Sequence, residues 1–245
     1  GEYIGSFSAM IGNPPWSKPR LLDKEWWVGY PEIANAKSST RKKKIQQMKS
    51  INPQLVETYE KDLLENNRLR KFLGSVNYPL CGHGNLNLYG IFAELCTNSA
   101  KTVGIITQTN LVTDTTTHRW FKEMIHTKRI SSITDFVNKK QIFPGIADNT
   151  RFSLIYLGLN PDDLKITANN VSIEEFNKKT PYIINAELVE RINGMDYTCP
   201  IFSSKTEFDF VIDIIENGQR FGEPENGWNA QFGRMVDMSN DSSHF

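Results

Sequence analysis

The sequence predicts an α/β fold built on a mostly parallel sheet with one reversed strand, and three observations lead there. Strand-like and helix-like segments alternate through residue 160. The run Val103 to Thr107 (VGIIT) is continuously apolar, as in a strand covered on both faces of a parallel sheet. Two later strand-like segments lie close enough to pair as an antiparallel hairpin.

Each element has a local reason. Phe7, Ala9 and Ile11 alternate with small residues, so Ser6 to Gly12 reads as a short buried strand stopped by the turn Asn13-Pro14-Pro15. Residues 17–85 are polar and read as an irregular insertion or lid, apart from one helix with Asn52 as N-cap and Pro53 at its first position, running to about Phe72. Leu88, Tyr89, Phe92, Leu95 and Cys96 recur at three- and four-residue steps, which predicts a helix over Leu86 to Asn98 with that stripe inward. After VGIIT, Asp114 is suited to cap a helix that buries Phe121, Met124 and Ile125. Strands are expected over Ile130 to Val137 and Phe152 to Leu157, joined through Phe143-Pro144-Gly145. Beyond Asn160 the pattern weakens, leaving two capping boxes, Ser172 with Glu175 and Ser204 with Glu207. The second opens an amphipathic helix (Phe208, Val211, Ile212, Ile215) that Gly218 can end.

The chain has 245 residues with 39% apolar content, enough for a packed core. Lys+Arg and Asp+Glu both number 28, so attraction to a polyanion has to come from local patches. One such patch is Lys37 to Lys49, with Lys37, Arg41, Lys42, Lys43, Lys44 and Lys49 and no acid. It reads either as a solvated flexible segment or as a grip on phosphates. A second group is Arg119, Lys122, Lys128, Arg129, Lys139 and Lys140, around the later helix and hairpin. Cys81, Cys96 and Cys199 are odd in number and form no C-x-x-C pair, which argues against a disulfide framework or zinc ribbon and suits a reducing cytosol. The four histidines lack ligand spacing, so no metal is expected. No apolar run approaches the ~18 residues that span a bilayer, and no signal-peptide layout opens the chain. A cytoplasmic protein without a membrane partner is expected. Because the chain begins Gly1-Glu2 and ends MSNDSSHF without a cap or polar tail, it also reads as a piece of a longer polypeptide, whose remainder is then a partner.

Asn13-Pro14-Pro15-Trp16 is the sharpest motif, and it is expected at a strand's carboxyl end. One reading is a rigid turn, since proline restricts its own φ and the residue before it. The other is catalytic. An exocyclic amine on adenine delocalises its lone pair into the ring and is a poor nucleophile. The amide oxygen of Asn13 and the main-chain carbonyl of Pro14 can accept the two amine hydrogens in directions that favour a tetrahedral nitrogen, leaving the lone pair aimed at a methyl donor. Trp16 offers a face on which an extruded base can stack, an interaction worth ~1–3 kcal/mol per base. Direct methyl transfer needs no covalent enzyme intermediate, so the cysteines read as small buried hydrophobes.

On these residues the sequence resembles the N6-adenine DNA methyltransferases, in particular the large single-polypeptide restriction-modification enzymes and phage-exclusion methylases. The resemblance rests on IGNPPW (Ile11 to Trp16), YPLCGHGNLNLYGIFAEL (Tyr78 to Leu95), VGIITQTNLVTD (Val103 to Asp114) and QIFPGIADNTRFSLIYLG (Gln141 to Gly158). The tail from Trp228 to Phe245 looks like the start of that family's target-recognition region. The resemblance implies a partial Rossmann-like class I methyltransferase fold. Residues 1–160 would be the C-terminal half of the catalytic domain, with 17–85 inserted, and 161–245 an extension toward target recognition. It implies Asn13, Pro14, Pro15 and Trp16 as the catalytic tetrapeptide, and Phe143 as a second aromatic against the flipped base; an ordinary hairpin core residue is the alternative for Phe143. Asn87, Leu88 and Tyr89 match a segment near the methyl-donor pocket, although helical spacing also suits core packing for Leu88 and Tyr89.

The implied cofactor is S-adenosylmethionine, and the implied partner is double-stranded DNA, with Arg41, Lys42, Lys43, Lys44, Lys139 and Lys140 as contact candidates. The glycine-rich loop of the family would lie upstream of the catalytic strand. Gly82-His83-Gly84 is no substitute for it, because it neither follows a strand nor opens a helix. Ser8 also stands where the family often has an acid. The isolated chain is therefore expected to lack most of its cofactor site and to be inactive. Methyl transfer to cytosine N4, RNA or protein glutamine remains an alternative, as does a non-catalytic nucleic-acid-binding module.

Overall fold

The computed structural model describes residues 7–74, 76–158, 163–218, 233 and 237. Strand β1 (Phe7–Gly12) leads into four helices, α1 (Asp23–Trp26), α2 (Pro31–Ala34), α3 (Ser38–Ile51) and α4 (Pro53–Leu73). Then come α5 (Leu88–Ser99), β2 (Ala100–Gln108), α6 (Asn110–Thr113), α7 (His118–His126), β3 (Ile130–Val137) and β4 (Arg151–Leu157). The described part closes with β5 (Leu164–Asn170), α8 (Ile173–Phe176), β6 (Tyr182–Ile184), α9 (Ala186–Asn193) and α10 (Lys205–Asn217). Residues 1–204 form one compact unit and 205–245 another, with α10 as the second unit's described helix. None of the helices among the described residues is long and apolar enough to cross a membrane.

The sheet order is β1-β2-β4-β3-β5-β6. Strands β1, β2, β3 and β5 share one direction; β4 is the expected reversed strand, antiparallel to both β2 and β3. A second reversed strand, the three-residue β6, was not expected. Both β5 and β6 lie past residue 160, so the same sheet runs on across the division at 160/161. Leu164, Ile166, Ala168, Tyr182 and Ile184 alternate inward there, but the runs are short and interspersed with polar residues.

Register explains where the core sits. Ile105, Ile155, Ile133 and Ile166 face one another in a row across four strands, and all are at most 3% exposed. Each such burial contributes ~1.5–3 kcal/mol. The neighbouring row, Ile11, Gly104, Tyr156 and Ser132, lies on the opposite face, where Ile11 is 92% exposed; with Phe7 exposed as well, β1 is not the buried strand its alternation suggested. VGIIT is therefore not covered on both faces as expected. Val103, Ile105 and Thr107 are buried while Gly104 and Ile106 are half-exposed, and an apolar run alone does not report which face meets a partner.

The insertion also differs from expectation. Residues 17–85 are largely helical, and Lys37 to Lys49 is helix α3, not a flexible segment. Trp27, Ile33, Ala34, Met48, Val56 and Tyr59 make a hydrophobic core there, too sparsely spaced in sequence to announce itself. Trp26 Nε1 donates to Asp62 Oδ2 at 2.9 Å, pinning the tryptophan pair. The Asn52 cap was legible: its Oδ1 accepts from Leu55 N at 3.1 Å, with Pro53 first in the helix.

Helix α5 forms where predicted, but with another face inward. Tyr89, Gly90, Ala93, Glu94 and Thr97 are buried, whereas Phe92 and Leu95 are exposed. Gly90 admits close packing against Cys81 and Thr117, and Glu94 is held in by accepting from Leu80 N and Cys81 N at 3.1 and 2.8 Å. Asp114 does not cap α7; its Oδ1 accepts from Thr116 N at 2.8 Å, closing the preceding turn.

Candidate functional site

The Asn13 corner leaves β1 at the carboxyl end of the strand. Pro14 is buried, Trp16 is half-buried and Asn13 is exposed. Trp16 Nε1 donates to Asn13 Oδ1 at 3.1 Å, so the two side chains orient each other. The exit of the corner is tied to α5, whose first-turn amide Leu88 N donates to Ser17 O at 3.1 Å. This places the Asn87 segment beside the corner, but with Asn87 and Tyr89 buried. The Asn87 amide donates to Asn85 O at 3.1 Å. Burial first, then the negative charge of Asp114, pushes the Tyr89 hydroxyl up to about 12.

Phe143, on the hairpin between β3 and β4, reaches the same place. Its ring centre is 5.8 Å from that of Trp16, edge-on. Two residues missed by the sequence reading complete the cluster. Phe152 lies 6.3 Å from Trp16 in a stacked arrangement and 4.8 Å from Phe143, edge-on. Phe136 stacks on Phe152 from behind at 5.3 Å. Phe136 and Phe152 are cross-strand partners at the end of the sheet nearest the corner. The signal that could have found them is that each stands on its strand at the level where the hairpin leaves.

Under this cluster lies a polar layer that the sequence did not reveal. Asp135, fully buried, accepts from Thr109 Oγ1 at 2.7 Å and Asn169 N at 3.0 Å, and pairs with the Arg151 guanidinium. Thr109 Oγ1 also meets Ser153 Oγ at 2.9 Å. A buried carboxylate held by these donors keeps the ends of β3, β4 and β5 in register beneath the aromatics.

The basic candidates separate. Arg41 is turned inward and 8% exposed, against expectation: its guanidinium donates to Ile33 O, Ala34 O and Ala36 O at 3.2, 3.1 and 2.6 Å. Five guanidinium donors suit a cluster of helix-end carbonyls, which claims the side chain before any phosphate can. Lys44 Nζ donates to Glu32 O at 2.9 Å, whereas Lys42 and Lys43 are exposed. Lys139 and Lys140 are exposed on a short turn leading to Phe143. The second basic group is not one patch. Lys122 lies over the Tyr197 ring at 4.4 Å, and Arg129 donates to Ala100 O and Lys101 O at the far end of β3. Cys81 and Cys199 are buried, which raises both thiols, and Cys96 is half-buried.

Beside the corner, a cavity of about 590 Å³ is lined by Ile11, Asn13, Gly104, Ile106, Leu154 and Tyr156, among others. Its wall holds the Asn13 amide and is otherwise mainly apolar, with no carboxylate or cationic side chain. Such a lining fits an aromatic or aliphatic portion of a ligand, and it has no charged side chain to pair with a zwitterionic amino-acid group.

The family described as Eco57I restriction-modification methylase matches residues 3–143. No curated protein matches the chain. Among solved structures it is similar to one of the type I R-M system, at 9% identity over 87% of this chain and 42% of that one, with a TM-score of 0.44. It is also similar to the type I restriction-modification methyltransferase subunit from Streptococcus thermophilus, at 13% identity over 52% and 33%, with a TM-score of 0.38. A third is the DrdV-DNA complex, at 12% identity over 73% and 17%, with a TM-score of 0.38. The chain spans less than half the length of each of the three.

Proposed function

We propose, from the premise that the chain belongs to the Eco57I restriction-modification methylase family, that it carries the acceptor half of a DNA adenine N6-methyltransferase. The observation that carries the reading is the exposed Asn13 amide at the carboxyl end of β1, held by Trp16, whose ring is flanked by Phe143 and Phe152. An amide oxygen has two lone pairs, so Asn13 Oδ1 can accept from an amine while keeping its bond to Trp16. With the Pro14 carbonyl accepting the second hydrogen, the amine nitrogen is drawn toward tetrahedral geometry and its lone pair is freed for an electrophilic methyl. A purine flipped from the duplex stacks on Trp16, with Phe143 edge-on to it. Lys139 and Lys140 contact backbone phosphates beside the hairpin.

In this reading the methyl donor of the whole protein is S-adenosylmethionine. The cavity beside the corner offers no charged side chain to pair with the donor's amino-acid portion. The chain's own share is to grip, orient and stack the base.

The test is Asn13→Ala in the whole protein with duplex DNA. Methyl incorporation should fall by ~10²–10³-fold, the scale for removing one preorganised polar group beside a reacting atom, while DNA affinity persists. Analysis of the modified nucleoside then separates adenine N6 from cytosine N4. Unchanged methylation defeats the assignment.

A further inference from the structure

We infer that Asn138 is a positioning residue, whose side-chain amide fixes Phe143 beside Trp16. The inference rests on the methyltransferase reading and deepens it, by naming what sets the second wall of the base site. Asn138 follows β3 directly, is fully buried, and continues the ladder through Asn138 N to Thr150 O at 3.0 Å. Its side chain meets the hairpin three times. Oδ1 accepts from Phe143 N at 2.9 Å, and Nδ2 donates to Phe143 O and Ile146 O, both at 3.0 Å. One acceptor and two donors on a single planar group match the two main-chain groups of residue 143 and the carbonyl of 146. Among side chains of this length, only a carboxamide offers an acceptor together with two donors.

The hairpin has little else to hold it. Residues Gln141, Ile142, Pro144, Gly145, Ala147, Asp148 and Asn149 are all exposed, so the loop has no core of its own. Its internal main-chain bonds are Gln141 N to Asn138 O at 2.8 Å, Ile146 N to Phe143 O at 3.4 Å and Thr150 N to Ala147 O at 3.0 Å. Gln141 and Gly145 both have positive φ, 53° and 81°, a path that needs fixing from outside. Phe143 thus reaches its place, 4.8 Å from Phe152 and 5.8 Å from Trp16, through a loop anchored on one buried amide. The side-chain hydrogen bonds of Asn138 run to the main chain of residues 143 and 146, so it acts on the Phe143 ring through that main chain.

The experiment uses the whole protein with adenine-containing target DNA for the kinetics, and the same DNA with 2-aminopurine in place of the target adenine for fluorescence only. In Asn138→Ala, kcat should fall roughly 10- to 100-fold with KM for DNA within about twofold, the cost of a small misplacement of a site wall. The fluorescence of bound 2-aminopurine should change, and hydrogen exchange at the Phe143 amide should accelerate. Phe143→Ala should show the same kinetic signature, and the double variant should fall no further than Phe143→Ala alone. Asn138→Asp keeps the shape but turns an acceptor toward two carbonyls; it carries the same expectation and serves if the alanine variant does not fold. Unchanged kcat and fluorescence in a folded variant, or losses that multiply in the double variant, overturn the role of Asn138. Asn13→Ala separates the two claims. If it leaves methylation intact, the methyltransferase reading falls. If it abolishes methylation while Asn138 variants stay active, the positioning role alone falls.

Discussion

The indole Nε1 of Trp16 donates to Asn13 Oδ1 across 3.1 Å, so the ring suited to stack on a base also aims the amide suited to grip its amine. In the proposed reading, grip and stacking are thereby coupled by one hydrogen bond.

Replacing Trp16 with Phe separates them, because it keeps an aromatic face and removes the donor. A single hydrogen bond of ~0.5–1.5 kcal/mol corresponds to a loss in kcat of up to about tenfold. Trp16→Leu should fall further, since ~1–3 kcal/mol of stacking goes as well. Single-turnover methyl transfer measures both; equal rates for wild type and the Phe variant would show that the indole N–H does not hold Asn13.

Arg41 and the hairpin lysines should behave oppositely. Arg41→Ala leaves the Ile33, Ala34 and Ala36 carbonyls without their donor and should destabilise the fold by about 1–3 kcal/mol in urea denaturation. Lys139→Ala and Lys140→Ala should move stability by less than ~0.5 kcal/mol. They should instead reduce the slope of log affinity for DNA against log salt by about 0.9 for each phosphate that is no longer neutralised. A salt slope altered by Arg41 and indifferent to both lysines would reverse this assignment.

Stability should fall at alkaline pH, and Tyr59 contributes to that fall alongside Tyr89 and the buried thiols. Burial first, then its hydrogen bond to the Asp23 carboxylate, pushes the Tyr59 hydroxyl from 10.0 to about 12. The folded chain thus keeps this proton at pH values where the unfolded chain has released it, so this contribution to stability is full below pH 10 and declines as pH rises toward 12. Tyr59→Phe should flatten that decline while costing some stability at neutral pH, since phenylalanine offers Asp23 no hydroxyl donor. Chemical denaturation across the alkaline range reads both effects; an unchanged decline in the Phe variant would place its origin elsewhere.

Several features were legible because their causes are local. The end of β1 at Gly12, before two prolines, is one; another is the Asn52 cap that opens α4. Ser172 caps α8 as its spacing predicts, through Glu175 N to Ser172 Oγ at 3.2 Å. The β3 and β4 pairing followed from two strand-like runs around a proline-glycine turn. The inward face of α5 was misread, since the apolar stripe yielded to Gly90, Ala93 and the buried carboxylate of Glu94. The tail from Trp228 to Phe245 lies outside the described residues, apart from 233 and 237.

The sequence by itself determined the order of the main α/β elements, the proline-stiffened corner at the end of β1, and the chemistry open to an Asn-Pro-Pro-Trp run, because proline, caps and alternation act over a few neighbouring residues. Only the tertiary structure decided that Arg41 serves carbonyls, that Phe152 and Phe136 stand behind Trp16, and that Asp135 and Asn138 hold the ground beneath. Those outcomes depend on which distant groups compete for the same donor, acceptor or ring face, and that competition exists only once the strands have closed into a sheet.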